Sequence, residues 1–389
     1  MSVQPATGAR KVPVINRACF NWGGERVKCC RYNSAPIHAV SRDRRSSLMN
    51  PTLEPTLARL GAKIADGVVR DFGNPVEELA TLAEGKIIAD LSHFGVLEFA
   101  GADATEFLQN QLSCDLKSLA GTSTYGSYCT PKGRMLASFV AWKNGEAWRM
   151  ILRRDVLPAI HKRLRMFVLR SKVSVADLSE PVALLGAAGP QAAEVLRGAF
   201  GVLPTVPQGV VPLADGGAIL SLPGDRWLVG IPAEAAAAAW PLLAQGLRPV
   251  GASAWDWTDI CNGIAFVGLP TQEQFVPQMA NMELIGGVSF KKGCYPGQEI
   301  VARTQHLGKV KRRLYLANVA AEAFPGEELF GEDVEGQSNG MVASAAPSPL
   351  GGTDVLAVVQ RASAEASRVH LRSLDGPLLA FRPLPYAIP

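Results

Sequence analysis

Short runs of alternating apolar residues, separated by turn signals and helical segments, constrain the fold of this chain more than any other feature. Residues 87–100 alternate like strands around a turn, and residues 102–108 begin a short helix for which Asp103 is the predicted N-cap. Residues 126–142 predict a hairpin, and a basic helix follows over residues 155–167. Strand, helix and strand in this order are typical of an α+β fold, in which helices cover one face of a sheet.

The rest of the chain divides into further modules, as its 389 residues lead us to expect. We predict a first, discontinuous domain formed by residues 50–180 together with residues 250–308. Residues 181–249 predict a second α+β domain. In residues 309–389, short alternating runs separated by Gly, Pro and Ser predict a small antiparallel β-barrel.

The N-terminal segment differs from the rest in charge. Residues 1–50 hold nine basic and two acidic groups, whereas the whole chain has a net charge of +4, so the body is slightly acidic. The body is therefore not a basic platform for stable nucleic-acid binding. Residues 1–49 are predicted to be a disordered or mis-assigned extension upstream of Met49, with a transit peptide as the alternative.

No apolar segment is long enough to span a bilayer without interruption by proline. Seven cysteines, an odd number with no framework spacing, indicate reduced thiols. These features predict a cytoplasmic protein, or a mitochondrial matrix protein if the N-terminus is a transit peptide. The chain has no CxxC pair, so we predict no permanently bound metal. Two kinds of metal site stay open. One is a permanent cluster held by four thiolates that converge in space, from Cys114, Cys129, Cys261 and Cys294. The other is a transient cluster that Cys294 shares with a thiol of another molecule.

The segment most informative about chemistry contains Cys294. Residues 288–290 predict a strand and residues 298–305 a helix, with a glycine- and proline-containing turn between them. Cys294 thus precedes a helix N-terminus and lies beside Lys291 and Lys292. Both features favour the thiolate, which predicts a reactive cysteine. The alternative is that Cys294 is a small core residue near a turn.

Residues 292–303 read KGCYPGQEIVAR, and this string resembles the signature of the YgfZ family. The resemblance extends to FVPQMANME at residues 275–283, FLQNQLSCDL at residues 107–116 and CTPKGRM at residues 129–135. It covers about residues 87–389. The family in turn resembles the T-protein of the glycine cleavage system, which implies three domains arranged as a ring around a central hole.

The resemblance also implies a function. Members of the family are linked to the assembly or repair of iron–sulfur proteins, including radical enzymes that modify tRNA, and tetrahydrofolate or a derivative is expected in the hole. The expected partners are folate and iron–sulfur client or assembly proteins. Binding to a membrane is not expected. By position in the signature, Cys294 is the catalytic cysteine. The resemblance implies that cofactor-binding residues are Lys292, Tyr295, Gln298, Glu299 and Arg303.

Two departures from the T-protein argue against aminomethyl transfer. Ala137 and Ser138 stand where T-proteins carry an acidic pair, and Asp259 and Cys261 replace an arginine and a glutamate. Proton transfer needs a positioned group of suitable pKa, which neither alanine nor serine provides. A folate-dependent aminomethyltransferase is therefore the alternative function, and a scaffold with a purely architectural hole is a third hypothesis.

The basic helix has a mixed surface. Across residues 153–170, six cations surround apolar residues spaced by three and four, so one face is expected to pack and the other to be solvated. A solvated cationic face is the first interpretation. Contact with a polyglutamate tail, with tRNA or with an acidic partner is the alternative.

Overall fold

The computed structural model describes residues 49–306, 310–333 and 337–389. The prediction for residues 1–49 therefore falls, apart from Met49, outside the described residues. The helices are α1 (Glu54–Arg59), α2 (Pro75–Glu84), α3 (Ala104–Gln109), α4 (Leu157–Val168), α5 (Ala192–Phe200), α6 (Ala233–Leu243), α7 (Ala252–Cys261), α8 (Gln298–His306) and α9 (Arg361–Glu365).

The strands of the first half are β1 (Lys63–Ala65), β2 (Val68–Asp71), β3 (Ile87–Asp90), β4 (Phe94–Ala100), β5 (Thr124–Cys129), β6 (Met135–Asn144), β7 (Ala147–Arg153), β8 (Ser174–Asp177) and β9 (Val182–Ala188). Those of the second half are β10 (Val210–Pro212), β11 (Ala218–Leu222), β12 (Arg226–Pro232), β13 (Arg248–Val250), β14 (Arg312–Val319), β15 (Glu328–Gly331), β16 (Gly340–Pro347), β17 (Thr353–Gln360), β18 (Val369–Leu371) and β19 (Leu379–Arg382).

A five-stranded antiparallel sheet has the order β5-β6-β7-β4-β8, and helices α3 and α4 contribute to the core on one of its faces. Helix α4 buries Leu157, Ile160 and Leu164, the apolar positions spaced by three and four, so the predicted basic helix is confirmed. Asp103 is the N-cap residue of α3, but its side chain does not cap the helix. Its carboxylate instead accepts a hydrogen bond from the backbone N–H of Lys172, 2.7 Å away.

The middle sheet has the order β10-β11-β12-β9-β3-β13 and is buried on both faces. Alternate residues of β9 enter two different cores, one containing Trp240 of α6 and the other Trp255 of α7. Gly186 in β9 is required by this packing, since a Cβ atom there would lie 2.4 Å from the Trp255 ring. Helix α7 is thereby held against the sheet at a fixed distance.

Strand β3 belongs to the middle sheet although its neighbour in the chain, β4, belongs to the five-stranded sheet. It pairs antiparallel with β9 and parallel with β13, whereas β4 lies between β7 and β8. The two strands and the turn between them agree with the sequence pattern. A local pattern does not indicate, however, that the two strands belong to different sheets. The domain boundaries given above stay a prediction.

The C-terminal sheet is antiparallel, with the order β18-β15-β16-β17-β14-β19. Its two edge strands approach each other at an isolated bridge between His370 and Leu378, so the sheet curls into a half-barrel. The predicted α+β fold with a small C-terminal antiparallel barrel is confirmed in this form. Within the described ranges, no helix combines the length and the apolar character that crossing a membrane requires.

Candidate functional site

Residues 291–297, which we call the signature loop, lie between the core of the five-stranded sheet and helix α8. Gly297 has a φ of +83°, and a Cβ atom there would lie 2.5 Å from the carbonyl oxygen of Thr130. Only glycine therefore allows the loop to pass this close to the β5–β6 hairpin. Helix α8 follows at Gln298, as predicted, and buries Val301 completely.

The ammonium group of Lys292 anchors the signature loop to the backbone of a distant segment. Its Nζ donates to the carbonyl oxygens of Gln109, Leu112 and Cys114, at 2.5, 2.5 and 2.9 Å. These contacts use all three donors of the ammonium group. Burial lowers the pKa of Lys292 to about 8. Lys292 therefore fixes the loop by binding three carbonyl groups, and its positive charge faces the backbone.

Tyr295 anchors the other side of the loop. The residue is only 6% exposed, and its ring lies under Lys292, with Nζ 5.1 Å from the ring centroid. Burial raises the pKa of the Tyr295 hydroxyl. The side chain therefore packs inside the protein, and the residue before it is turned outward.

Cys294 is the exposed cysteine among those in the described part of the chain. Cys114 and Cys129 are buried, and burial raises the pKa of each thiol to about 12. Cys261 is half-buried, with a pKa that burial raises to about 11. These three thiols stay protonated at neutral pH and are buried or half-buried. Among the described thiols, Cys294 is therefore the most accessible to a partner.

The other residues of the signature lie on helix α8. Gln298 is half-buried, and Glu299 and Arg303 are exposed. Glu299 and Arg303 are four residues apart, a spacing at which opposite charges can pair on a helix, but between these two described residues the structure has no ion pair. The helix thus offers an amide, a carboxylate and a guanidinium group to solvent, next to the loop that contains Cys294.

A second concave region, which we call the central cleft, lies between β7 of the five-stranded sheet, helix α7 and β16 of the C-terminal sheet. One cavity of about 150 Å³ is lined by residues that include Asp259 of α7, Phe266 and Ala343 of β16. A neighbouring cavity of about 400 Å³ shares Arg153 and Asp256 with the first. The described signature residues are not among those lining these two cavities.

Two carboxylates that line the central cleft are paired with cations: Asp256 with Arg153, and Asp259 with the buried Arg226. Arg226 contacts Asp259 through an Nη1–Oδ1 distance of 2.5 Å, and both side chains are at least nine-tenths buried. Burial raises the pKa of Asp259 to about 6 despite the nearby Arg226. Burial alone would also raise the pKa of Asp256, but Arg153 and His93 together lower it to about 2. The sequence singles out Asp259 as a departure from the T-protein, but no local motif predicts its pairing with Arg226 or the contacts of Asp256.

Ala137 and Ser138, the replacements for the acidic pair of the T-protein, are both buried in β6. The Ser138 hydroxyl donates to the carbonyl oxygen of Ala265 at 3.0 Å and accepts from the N–H of Val267 at 2.8 Å. These bonds tie β6 to the segment lining the cleft and leave this hydroxyl in a structural role. Among the described residues, no three His, Cys, Asp or Glu side chains form a group that could hold a metal ion.

This arrangement of three sheets around a cleft is the fold of the glycine cleavage T-protein. Aminomethyltransferase T of the glycine cleavage system from Bartonella henselae superposes with a TM-score of 0.73, covering 87% of this chain and 98% of that chain at 20% identity. A family model described as the GCVT N-terminal domain matches residues 70–204. The class of the protein is therefore a T-protein-like fold, as predicted.

The sequence relatives specify the family. The tRNA-modifying protein YgfZ of Yersinia enterocolitica is 32% identical over 309 residues, which covers 77% of this chain and 92% of the relative. The YgfZ protein of Serratia proteamaculans is also 32% identical, with 77% and 92% of the two chains covered. This chain belongs to the YgfZ family.

Proposed function

We propose that this chain is a folate-binding accessory protein for the assembly or repair of iron–sulfur proteins, including radical enzymes that modify tRNA. The observation that carries the proposal is Cys294, exposed on an anchored loop while the other described thiols are buried or half-buried. The word "tRNA-modifying" in the names of the relatives supports the same direction. The proposed partners are iron–sulfur client or assembly proteins in the cytoplasm.

The proposed role of Cys294 is to bind a sulfur or cluster species that a partner protein carries. In cluster binding, the sulfur forms a bond to iron and displaces one existing ligand, and the thiol proton leaves to solvent. No electron is transferred in this ligand exchange. Lys292 and Tyr295 would hold the loop in place, so that little conformational entropy is lost when the partner binds. Gln298, Glu299 and Arg303 would contact the partner beside the thiol, since these described residues do not line the central cleft.

The central cleft has groups that fit the pterin ring of a folate. A pterin is flat and carries N–H donors along one edge, so it needs an apolar wall and a hydrogen-bond acceptor. Phe266 supplies an aromatic wall, and the Oδ2 atom of Asp259 is buried without a hydrogen-bond partner among the described residues. Asp259 would accept from the N–H edge, and Arg153 would face the polar part of the ligand. When bound, the folate would supply a one-carbon or redox-active group.

The alternative function, aminomethyl transfer, is favoured by the T-protein fold. The structural role of the Ser138 hydroxyl argues against it, because T-proteins carry an acidic pair in this region. Tetrahydrofolate-dependent release of a methylene group from an aminomethyl donor by the purified protein would establish this alternative. We expect no turnover.

The proposal is tested in cells that lack the native copy of the gene. We expect Cys294→Ala to lower the amount of tRNA nucleosides made by iron–sulfur enzymes, measured by mass spectrometry, as strongly as deletion does. Cys261→Ala is the matched control, because it removes a half-buried thiol, and it is expected to restore wild-type levels. Wild-type levels with Cys294→Ala would contradict the proposed role of the thiol.

A further inference from the structure

The C-terminal end of helix α4 exposes three large apolar side chains close together. Met166, Phe167 and Leu169 are 66%, 43% and 85% exposed. No other stretch of four residues in the described ranges exposes three large apolar side chains. Isolated exposed apolar residues are normal, whereas a contiguous group of them marks an interaction surface.

Cations surround these apolar side chains. Residues 157–172 contain five lysines and arginines and no acidic residue. Arg163 lies 5.8 Å from the ring centroid of Phe167 and holds this ring by a cation–π contact. We define the α4 patch as Lys162, Arg165, Met166, Phe167, Leu169 and Arg170, all of which are exposed.

Leu169 adopts an unfavourable backbone conformation to reach its exposed position. It ends helix α4 with φ of +47° and ψ of −106°, in the region that favours glycine. A leucine there pays in backbone strain and gains little by burial, since it is 85% exposed. Such an outlier points to a role outside the stability of the fold.

We propose that the α4 patch is a docking surface for an acidic protein that offers apolar side chains among its carboxylates. The inference rests on the proposed function for the identity of this partner, which would be the iron–sulfur client or assembly protein. Arg163, which holds the Phe167 ring of the patch, is connected to the signature loop by three successive contacts. Arg163 donates to the hydroxyl of Tyr128, Tyr128 pairs with Leu112, and the carbonyl oxygen of Leu112 accepts from Lys292.

Charge and chemistry disfavour the other occupants. Residues 1–50 of the chain carry nine basic and two acidic groups, so the patch repels them. A two-fold symmetric contact with a second copy would bring the cationic patch against itself. RNA would gain phosphate contacts, but Phe167 is the single aromatic side chain in the patch on which a base could stack. Met166 and Leu169 instead favour an apolar protein surface.

The test uses two fluorescent amphipathic peptides that share a leucine face and carry either glutamates or lysines on the other face. Fluorescence anisotropy with the full chain is expected to show binding of the glutamate peptide, weakened by salt, and no binding of the lysine peptide. The double variant Leu169→Asp/Arg170→Glu is expected to bind the glutamate peptide at least about tenfold more weakly. The control is Leu350→Asp, since Leu350 is 80% exposed but isolated, and we expect wild-type binding.

Several results would overturn the proposal. These are equal binding of both peptides, an equal loss with Leu350→Asp, displacement of the glutamate peptide by oligouridine, or a dimer in solution that Leu169→Asp/Arg170→Glu dissociates. Circular dichroism checks that each variant is folded. The assay needs neither Cys294 nor a cluster, so Cys294→Ala must bind the glutamate peptide like the wild type. A failure of docking is therefore distinct from a failure of the proposed thiol function.

Discussion

The signature loop and the central cleft both contain charged groups, but they use these groups differently. In the signature loop, Lys292 is bonded to three backbone carbonyl oxygens, and the neighbouring thiol of Cys294 is left in contact with solvent. Asp259, which lines the central cleft, pairs with Arg226 inside the protein. The first arrangement suits presentation of a side chain to a large partner, and the second suits enclosure of a small molecule.

The largest effect is expected in the cleft, from Arg226→Met. Asp259 would lose its ionic partner while it stays buried, and breaking a buried pair in this way costs about 3–5 kcal/mol. Urea unfolding measures this loss. Arg70→Met is the control, because the Arg70–Asp66 pair is exposed and worth at most about 1 kcal/mol. If Arg226→Met lowers the free energy of unfolding by less than Arg70→Met does, the Arg226–Asp259 pair does not organise the cleft.

The two carboxylates of helix α7, Asp256 and Asp259, are expected to affect the pH dependence of stability in opposite directions. Asp259 has a folded pKa of about 6, above its ordinary 3.8, so the folded state retains a proton that the unfolded state releases. The free energy of unfolding therefore falls, by up to about 3 kcal/mol, as the pH rises from about 4 to about 6. Asp259→Asn is expected to reduce this fall by the contribution of Asp259, as measured by urea unfolding across the pH range. The contribution of Asp90, whose pKa burial also raises to about 6, is expected to remain.

Asp256 behaves in the opposite way. Its folded pKa of about 2 lies below the ordinary value, so its contribution is present above about pH 4 and is lost as the pH falls toward 2. Asp256→Asn should abolish this acid-side loss and leave the fall between pH 4 and 6 intact. If Asp259→Asn unfolds with the wild-type pH profile, the two carboxylates do not differ as described.

A smaller effect is expected in the signature loop, from Lys292→Met. Methionine retains the length of the side chain but leaves three carbonyl groups without their donor, so we expect a loss of about 2 kcal/mol. Lys292→Arg should not restore stability, since a planar guanidinium group cannot direct its donors like an ammonium group. The exposed neighbour provides the control, with Lys291→Met costing less than about 0.5 kcal/mol. Equal costs at both positions would contradict the anchoring role.

Local features of the fold could be predicted from the sequence, and features that depend on distant contacts could not. The alanine-rich segment predicts a helix over residues 233–243, and α6 has these bounds. The helix after the signature loop ends one residue beyond the predicted limit. By contrast, the sequence shows no alternating pattern for β15, and β3 joins a sheet whose other strands lie about a hundred residues or more away.

The same division applies to the candidate site. The motif singles out Cys294, and the turn residues around it place it just before a helix start, whereas its exposure is seen only in the structure. The partners of Lys292 are carbonyl groups more than 170 residues away in the chain, so sequence reasoning placed its charge beside the thiol instead. The cleft is lined by Arg153 of β7 and by residues of α7 and β16, which only the tertiary fold brings together.

Native-state alkylation with iodoacetamide, mapped by mass spectrometry of the peptides, tests most directly whether the signature loop presents a single working thiol. Among the four cysteines of the described residues, we expect Cys294 to be modified first, Cys261 much later, and Cys114 and Cys129 only after unfolding. Modification of Cys294 no faster than that of Cys261, or of Cys114 in the folded protein, would contradict the account.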